Sequence, residues 1–186
     1  IHLTAMDQSL SLQYKNATNI SARIRLHRDY SLNKEGWFPW LFSNLHLKPG
    51  MKVLELGAGN GALWSQNLEK VPKGVTIVLS DISEGILADA KKEIGDRSQF
   101  QYAVFDAQKI PFADNTFDLV IANHMLFYCN DIPKTLKEIR RVLKPGASLV
   151  CSTYSKRHMR EITDLVQNFN SNIVLSSTNL YERFGL

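Results

Sequence analysis

A chain of 186 residues, of which 44% are hydrophobic and 22% charged, is long enough for one domain with its own core. Its net charge of +4 is spread along the whole chain, so nucleic acid is not the expected partner. No apolar run approaches the roughly 20 residues that cross a bilayer, and residues 1–19 lack the apolar core of a signal peptide. The sequence therefore predicts a cytoplasmic protein without a membrane anchor.

The cysteines and histidines predict neither a disulfide framework nor a metal site. Two cysteines, Cys129 and Cys151, are too few for a disulfide framework. Apolar residues surround both of them, which predicts reduced, buried thiols. The histidines and cysteines show no metal-ligand spacing, so no metal site is expected.

The first part of the chain is predicted to be helical. We expect residues 1–48 to form a helical cap or lid, and residues 49–186 to form the ligand-binding domain. The stretch GWFPWLFSNLHL, which starts at residue 36, places Trp37, Trp40 and Leu41 at helical spacing. This spacing predicts that the two tryptophans pack in the core.

Five apolar segments after residue 50 predict β-strands, and amphipathic helices separate most of them. The strand segments are MKVLEL, GVTIVLS, FQYAVFD, FDLVIAN and ASLVCSTY, and the helices are expected over 83–94, 131–143 and 157–169. Because the strands lack polar alternation, the pattern indicates a doubly wound, Rossmann-like α/β fold with a mostly parallel sheet covered on both faces. Ligands of such folds bind beyond the carboxyl ends of the strands.

A glycine-rich turn follows the first strand, in the stretch VLELGAGNGALW that starts at residue 53. Gly57, Gly59 and Gly61 come after Glu55, and glycine lets a ligand approach the backbone closely. The helix that follows offers unpaired N–H groups. Because the turn also fits a dinucleotide fingerprint, it leaves three interpretations open: a nicotinamide cofactor, S-adenosylmethionine, or a tight turn without a ligand.

Polar residues also end the next strands. Asp81 follows the second strand, where a carboxylate can accept hydrogen bonds from both hydroxyls of a ribose, or serve as the N-terminal acid of a helix. Asp106 follows the third strand and can accept a hydrogen bond from an exocyclic amine such as that of adenine. Asn123 and His124 follow the fourth strand. These side chains are expected at one edge of the sheet.

Taken together, these segments resemble the class I S-adenosylmethionine-dependent methyltransferases. VLELGAGNGAL resembles the first motif of that superfamily, E-x-G-x-G-x-G, and LSDIS resembles its acidic second-strand end. DAQKIPFADNTFDLVIANHML, followed by EIRRVLKPGASLV, is similar to the later motifs of the small-molecule branch. The likeness runs from about residue 40 to residue 154, and one departure from it is Ala147, where glycine is common. It favours S-adenosylmethionine, because the nicotinamide interpretation does not predict PFADNTFDLV or RVLKPG.

The resemblance implies a cofactor site at the strand ends. The residues that would line it are Glu55, Gly57, Ala58, Gly59, Gly61, Asp81, Ile82, Asp106, Ala107 and Asn123. The glycine-rich turn would hold the methionine part, and Asp81 the ribose, with Ile82 against the adenine face. Asp106 and the backbone of Ala107 would meet the adenine edge. The backbone carbonyl of Asn123 would lie near the sulfonium.

The activity implied is methyl transfer by direct displacement to a small-molecule acceptor that the sequence does not identify. His124 is the candidate general base, since imidazole titrates near neutral pH, and a histidine that only shapes the pocket is the alternative. Two other functions stay open: a methyltransferase-like binding module without turnover, and an oxidoreductase of the NAD type. The chain is expected to be a monomer or a homodimer.

Both ends of the chain carry further candidates. Tyr14, His27, Arg28 and Tyr30 are candidates for a lid over the cofactor. Arg157, His158 and Arg160 would face an acidic substrate or simply begin a solvated helix. The superfamily sheet usually ends in two more strands, whereas only NIVL and LYERFGL remain here. We therefore expect the C-terminal strands to be missing or incomplete, or the sheet edge to be covered by a partner.

Overall fold

The computed structural model describes Arg25 and residues 29–155 and 160–172. The strands are β1 (Lys52–Leu56), β2 (Thr76–Asp81), β3 (Phe100–Val104), β4 (Phe117–Asn123) and β5 (Leu143–Ser152). The helices are α1 (Trp37–Ser43), α2 (Ala62–Ser65), α3 (Glu84–Ile94), α4 (Ile132–Val142) and α5 (Arg160–Phe169). Short 3₁₀ helices lie at Leu68–Lys70 and Leu126–Tyr128. All five predicted strands are present.

The five strands form one parallel sheet in the order β3-β2-β1-β4-β5. This arrangement confirms the predicted doubly wound α/β fold. The strand order reverses between β1 and β4, so the topological switch point lies between them. In folds of this kind the ligand crevice opens there, beyond the carboxyl ends of the strands.

The core lies on both faces of the sheet, which explains why the strands are apolar without alternation. Val53 and Ile77 belong to one buried cluster, whereas Leu54 and Val78, the next residue on each strand, belong to the other. Helix α1 contributes Leu41 and Phe42 to the first cluster, and Leu45, which follows the helix, belongs to it too. The helix before the sheet therefore shares a core with it.

Two helices begin at the capping residues that the sequence offers. The hydroxyl of Ser83 accepts a hydrogen bond from the backbone N–H of Ile86 at the start of α3, 3.4 Å away. The Asp131 carboxylate accepts one from the N–H of Lys134 at the start of α4, 2.9 Å away. The predicted helix starts are thus correct to within a residue.

Three predictions about local structure are wrong. Trp37 is 40% exposed and Trp40 44% exposed, because α1 buries its other face, with Leu41 and Phe42. Cys129 is buried as predicted, but Cys151 is exposed, because it lies on β5 at the edge of the sheet. The fifth strand, predicted from the stretch ASLVCSTY, starts earlier than expected. It begins at Leu143, includes the residues KPG, and has an irregular register opposite β4.

Several candidates from the sequence fall outside the described residues. They are Tyr14, His27, Arg28, Arg157, His158, and the C-terminal segment from residue 173 onward. Of the remaining candidates, Tyr30 is exposed, and Arg160 is exposed and pairs with Asp164 at 3.7 Å, as at a solvated helix start. Within the described part of the chain, β5 is an edge strand. No helix in that part has both the length and the apolar character needed to cross a membrane.

Candidate cofactor and acceptor site

The predicted site residues meet at the carboxyl edge of the sheet. Leu56 pairs with Ser80, and Glu55 pairs with Ile121. Continuing these registers brings Gly57 level with Asp81 on one side and with Asn123 on the other. The structure thus places the ends of β1, β2 and β4 side by side at the switch point.

The glycine-rich turn has a tight side and an open side. Gly57 and Gly59 have φ angles of 63° and 55°, in the left-handed region that glycine adopts without strain. A Cβ on Gly57 would lie 2.7 Å from the Cβ of Met125, so glycine is required there for packing. A Cβ on Gly59 would meet no described atom within 4 Å. The turn therefore leaves room for a ligand above Gly59.

Asp81 stands beside this open side. Its two carboxylate oxygens accept hydrogen bonds from the backbone N–H groups of Gly59, at 3.2 Å, and of Ser83, at 3.0 Å. Each oxygen keeps a second lone pair. Asp81 therefore orders the turn and can also accept hydrogen bonds from a diol. Ile82, the next residue, is 74% exposed and offers an apolar surface nearby.

Asp106, at the end of β3, is exposed and held by Gln108. The side-chain amide of Gln108 donates to both carboxylate oxygens, at 3.1 and 2.9 Å, and its own oxygen accepts from the N–H of Asp131. This bridge fixes the carboxylate between the end of β3 and the start of α4. Ala107 is buried. Gln108 was not singled out from the sequence, although it belongs to the quoted stretch DAQKIPF.

Glu55 lies below the turn, with only 2% of its surface exposed. Its carboxylate accepts a hydrogen bond of 2.6 Å from the indole N–H of Trp64. Burial raises its pKa to about 8, with a smaller contribution from the nearby Asp81. Glu55 therefore links β1 to α2 across the turn, and its contact with a cofactor stays a prediction.

The end of β4 carries the other predicted residues. The side-chain oxygen of Asn123 accepts hydrogen bonds from the hydroxyl of Ser152, at 2.6 Å, and from the indole N–H of Trp37, at 3.1 Å. His124 follows with a φ of 52°, which is uncommon for a residue other than glycine. Such conformations cluster at functional sites. The chemical roles of both residues stay predictions.

Aromatic rings pack around His124, and the sequence did not indicate this. The imidazole lies 5.1 Å from the ring of Trp37 and 4.9 Å from that of Tyr154, with which it is stacked. Phe127 packs on Tyr154 in turn. In the described part of the chain, no group of three histidine, cysteine or acidic side chains is arranged to hold a metal ion.

Residues 54–151, more than half of the chain, match the family model described as a methyltransferase domain. The ubiquinone/menaquinone biosynthesis C-methyltransferase UbiE of Idiomarina loihiensis is 31% identical over 131 residues, which are 69% of this chain and 52% of that protein. The demethylmenaquinone methyltransferase of Symbiobacterium thermophilum is 32% identical over the same shares. The chain thus spans about half the length of these relatives.

Solved structures show the same relationship. A SAM-dependent methyltransferase from Aquifex aeolicus superposes with a TM-score of 0.56 and 25% identity, covering 70% of each chain. The [4+2]-cyclase SpnF superposes with a TM-score of 0.58 and 26% identity, covering 63% of this chain and 45% of that one. By sequence and by fold, the chain belongs to the methyltransferase domain family, within the class I S-adenosylmethionine-dependent methyltransferases.

Proposed function

We propose that the chain binds S-adenosylmethionine along the carboxyl edge of its sheet and takes part in methyl transfer to a small-molecule acceptor. The observation that carries this proposal is the glycine-rich turn, which is open at Gly59 and lies beside the Asp81 carboxylate at the switch point. Family membership supports the same cofactor. It also removes the reason to interpret the turn as a nicotinamide site.

The side chains at this edge fit the parts of the cofactor. Asp81 has lone pairs left for the two ribose hydroxyls, and the exposed side chain of Ile82 suits one face of adenine. Asp106 is held by Gln108 yet can still accept from an exocyclic amine. The turn at Gly57 and Gly59 is where we place the methionine part. Ala58, Gly61 and Ala107 stay candidates for backbone contacts.

The bound cofactor supplies a methyl group that its positively charged sulfur already activates. The chain has to align the acceptor with that group and exclude water. Asn123 ends β4 beside Gly57 and His124 comes next, so we place both residues at the methyl end of the site. We assign the His124 imidazole as the base that takes a proton from the acceptor, if the acceptor brings one.

The names of the relatives suggest the acceptor class. These relatives are a ubiquinone/menaquinone biosynthesis C-methyltransferase and a demethylmenaquinone methyltransferase. We infer that a quinol-type ring, methylated on carbon, is the first acceptor class to test. The aromatic side chains around His124 support a planar acceptor.

A second candidate function is ligand binding, or another reaction, without methyl transfer. The likeness to the [4+2]-cyclase SpnF favours considering it, because that protein has this fold and is named for a different reaction. The two functions differ in one observable. Only the first predicts that label from the cofactor's methyl group appears in an acceptor.

The first experiment is calorimetric titration of the chain with S-adenosylhomocysteine, with NAD⁺ and NADH as controls. We expect S-adenosylhomocysteine alone to bind. Asp81→Ala should weaken binding by roughly 1.5–3 kcal/mol, because it removes charge-assisted hydrogen bonds to the ribose. Asp89→Ala, on the exposed side of α3, is the matched control and should bind like the wild type. Equal affinity in the Asp81 variant and the wild type would remove Asp81 from the ribose site.

The second experiment supplies S-adenosylmethionine with a labelled methyl group together with a panel of reduced quinones, catechols and phenols. Label in a quinol supports the acceptor class, and label in another compound corrects it. Cofactor binding with no label in any member of the panel favours the second candidate function.

We further propose that the chain acts in the cytoplasm, as a monomer or a homodimer, and that residues 1–48 form a cap over the site. The hydrogen bond from Trp37 to Asn123 supports the cap, because it joins α1 to the end of β4. Light scattering with and without S-adenosylhomocysteine measures the number of subunits.

A further inference from the structure

Trp37 makes specific contacts that a surface tryptophan does not need. It is 40% exposed, so packing in the core does not account for it. Its indole nevertheless contacts the two residues that follow one another at the end of β4, Asn123 and His124. The two contacts are different in kind, one a hydrogen bond and the other a ring contact.

The hydrogen bond belongs to a short chain of polar contacts. The Trp37 N–H and the Ser152 hydroxyl both donate to the side-chain oxygen of Asn123, at 3.1 and 2.6 Å. The Ser152 oxygen accepts from the backbone N–H of His124, at 3.0 Å. One indole N–H therefore helps to fix the Asn123 amide, and through Ser152 it is linked to the backbone of His124.

The ring contact involves the imidazole of His124. Its centre lies 5.1 Å from that of Trp37, with planes 34° apart, and 4.9 Å from that of Tyr154, with planes 16° apart. The His124 backbone has a φ of 52°, and a strained conformation persists only where its surroundings hold it. The Trp37 ring packs against the side chain of this residue.

We propose that Trp37 is a positioning residue of the acceptor end of the site, which orients the Asn123 amide through its N–H and the His124 imidazole through its ring. This role rests on the proposed function, since it presumes that the end of β4 faces the reaction. Helix α1 then does more than pack on the sheet, because it places the Trp37 indole at the switch point.

Trp40 provides a matched control. It lies three residues further along α1, is 44% exposed, and has its ring 5.2 Å from that of Trp37. Among the described residues, the ring of Trp40 packs on Trp37 and not on the strand ends. Replacing it removes a similar amount of exposed aromatic surface from the same helix.

The test compares Trp37→Leu, Trp37→Phe and Trp40→Leu with the wild type, in three measurements. Calorimetry gives the affinity for S-adenosylhomocysteine. NMR follows the Cε1–H resonance of His124, which ring currents from its aromatic neighbours displace. The labelled-methyl assay gives kcat and KM with whichever acceptor the wild type methylates.

We expect Trp37→Leu to bind S-adenosylhomocysteine with an affinity within about threefold of the wild type. Its kcat should fall by about tenfold or more, because misplaced groups slow the chemistry without weakening ground-state binding. Its His124 resonance should shift downfield. Trp37→Phe keeps a ring without the N–H, so it should recover part of both losses. Trp40→Leu should lose far less than Trp37→Leu, because it removes a neighbour of Trp37 but neither of the contacts that Trp37 makes with the end of β4.

The proposal is overturned if Trp37→Leu keeps the kcat and the His124 resonance of the wild type. It is also overturned if Trp40→Leu loses as much as Trp37→Leu, or if Trp37→Leu mainly loses cofactor affinity. A wild type that binds no S-adenosylhomocysteine rejects the proposed function instead. If the wild type methylates no acceptor, the resonance alone decides whether Trp37 orients His124.

Discussion

Glu55 is a carboxylic acid in the core, and its side chain accepts a hydrogen bond of 2.6 Å from the indole N–H of Trp64. Burial raises its pKa from 4.5 to about 8. An unfolded chain would release this proton near the lower value, whereas the folded chain keeps it until the higher one. Between these pH values the folded state binds more protons, so the free energy of unfolding falls as the pH rises.

We predict that the wild type is more stable to urea at about pH 5 than at about pH 8.5. Glu55→Gln should remove most of the part of this stability difference that Glu55 causes. That part is on the order of 2–4 kcal/mol, because each pKa unit corresponds to about 1.4 kcal/mol. Glutamine can still accept from Trp64 and does not ionise.

The control for this prediction is Glu93→Gln, which changes an exposed glutamate on α3. It should keep the pH dependence of the wild type. If Glu55→Gln and Glu93→Gln show the same fall in stability between the two pH values, Glu55 is not the group that causes it.

For single residues, the sequence predicts some members of the site and misses others. Gly57, Gly59 and Asp81 could be identified, because the turn and the acid follow a strand and their chemistry is local. The partner of Glu55 and the position of Trp37 could not. Trp37 is separated from Asn123 by 86 residues, and helical spacing shows only that Trp37 and Trp40 share a face, not what that face meets.

Among the connecting elements, α4 holds the loop before β4 through one arginine. All five N–H groups of the Arg141 guanidinium donate: three reach the carboxylates of Glu138 and Asp114, and two reach the carbonyls of Ile110 and Phe112. Hydrogen bonding to this guanidinium lowers the pKa of Glu138. The loop between β3 and β4 is thereby attached to α4.

We predict that Arg141→Lys destabilises the chain by about 1.5–3 kcal/mol, because an ammonium has three donors and cannot match this planar arrangement. Urea unfolding measures the loss. Hydrogen exchange should increase first at Asn115 and Thr116, whose N–H groups bond to the carbonyls of Arg141 and Val142.

Arg140→Lys, at the exposed neighbouring position, is the control and should change stability by less than about 0.5 kcal/mol. An equal loss in both variants would show that α4 depends on arginine in general, and not on the contacts of Arg141.

The strands themselves were the most predictable elements, because buried parallel strands give long apolar runs that end in turn residues. The start of β5 was not. Pro145 and Gly146 suggest a turn, yet β5 includes them, since an edge strand tolerates residues that leave a register irregular. The contacts of Arg141 could not be predicted either, because two of its partners are backbone carbonyl groups, which every residue has.

For the whole molecule, the consequence of this architecture is that the candidate site exists only when the sheet is assembled. Gly57, Asp81 and Asn123 come from three strands and meet because β1 lies between β2 and β4. An unfolded chain offers none of this arrangement. A ligand of the site should therefore stabilise the folded state by mass action.

We predict that S-adenosylhomocysteine at about 100 times its dissociation constant stabilises the chain by about 2.7 kcal/mol, which corresponds to a rise in Tm of roughly 5–10 °C for a domain of this size. Differential scanning calorimetry measures the shift, and it should grow with the logarithm of ligand concentration. At the same concentration, Asp81→Ala should shift less and Asp89→Ala should shift as the wild type does. A shift of equal size with NAD⁺ would contradict the cofactor assignment, because adenine and the ribose diol are common to both ligands and only the contacts of the turn with the methionine part distinguish them.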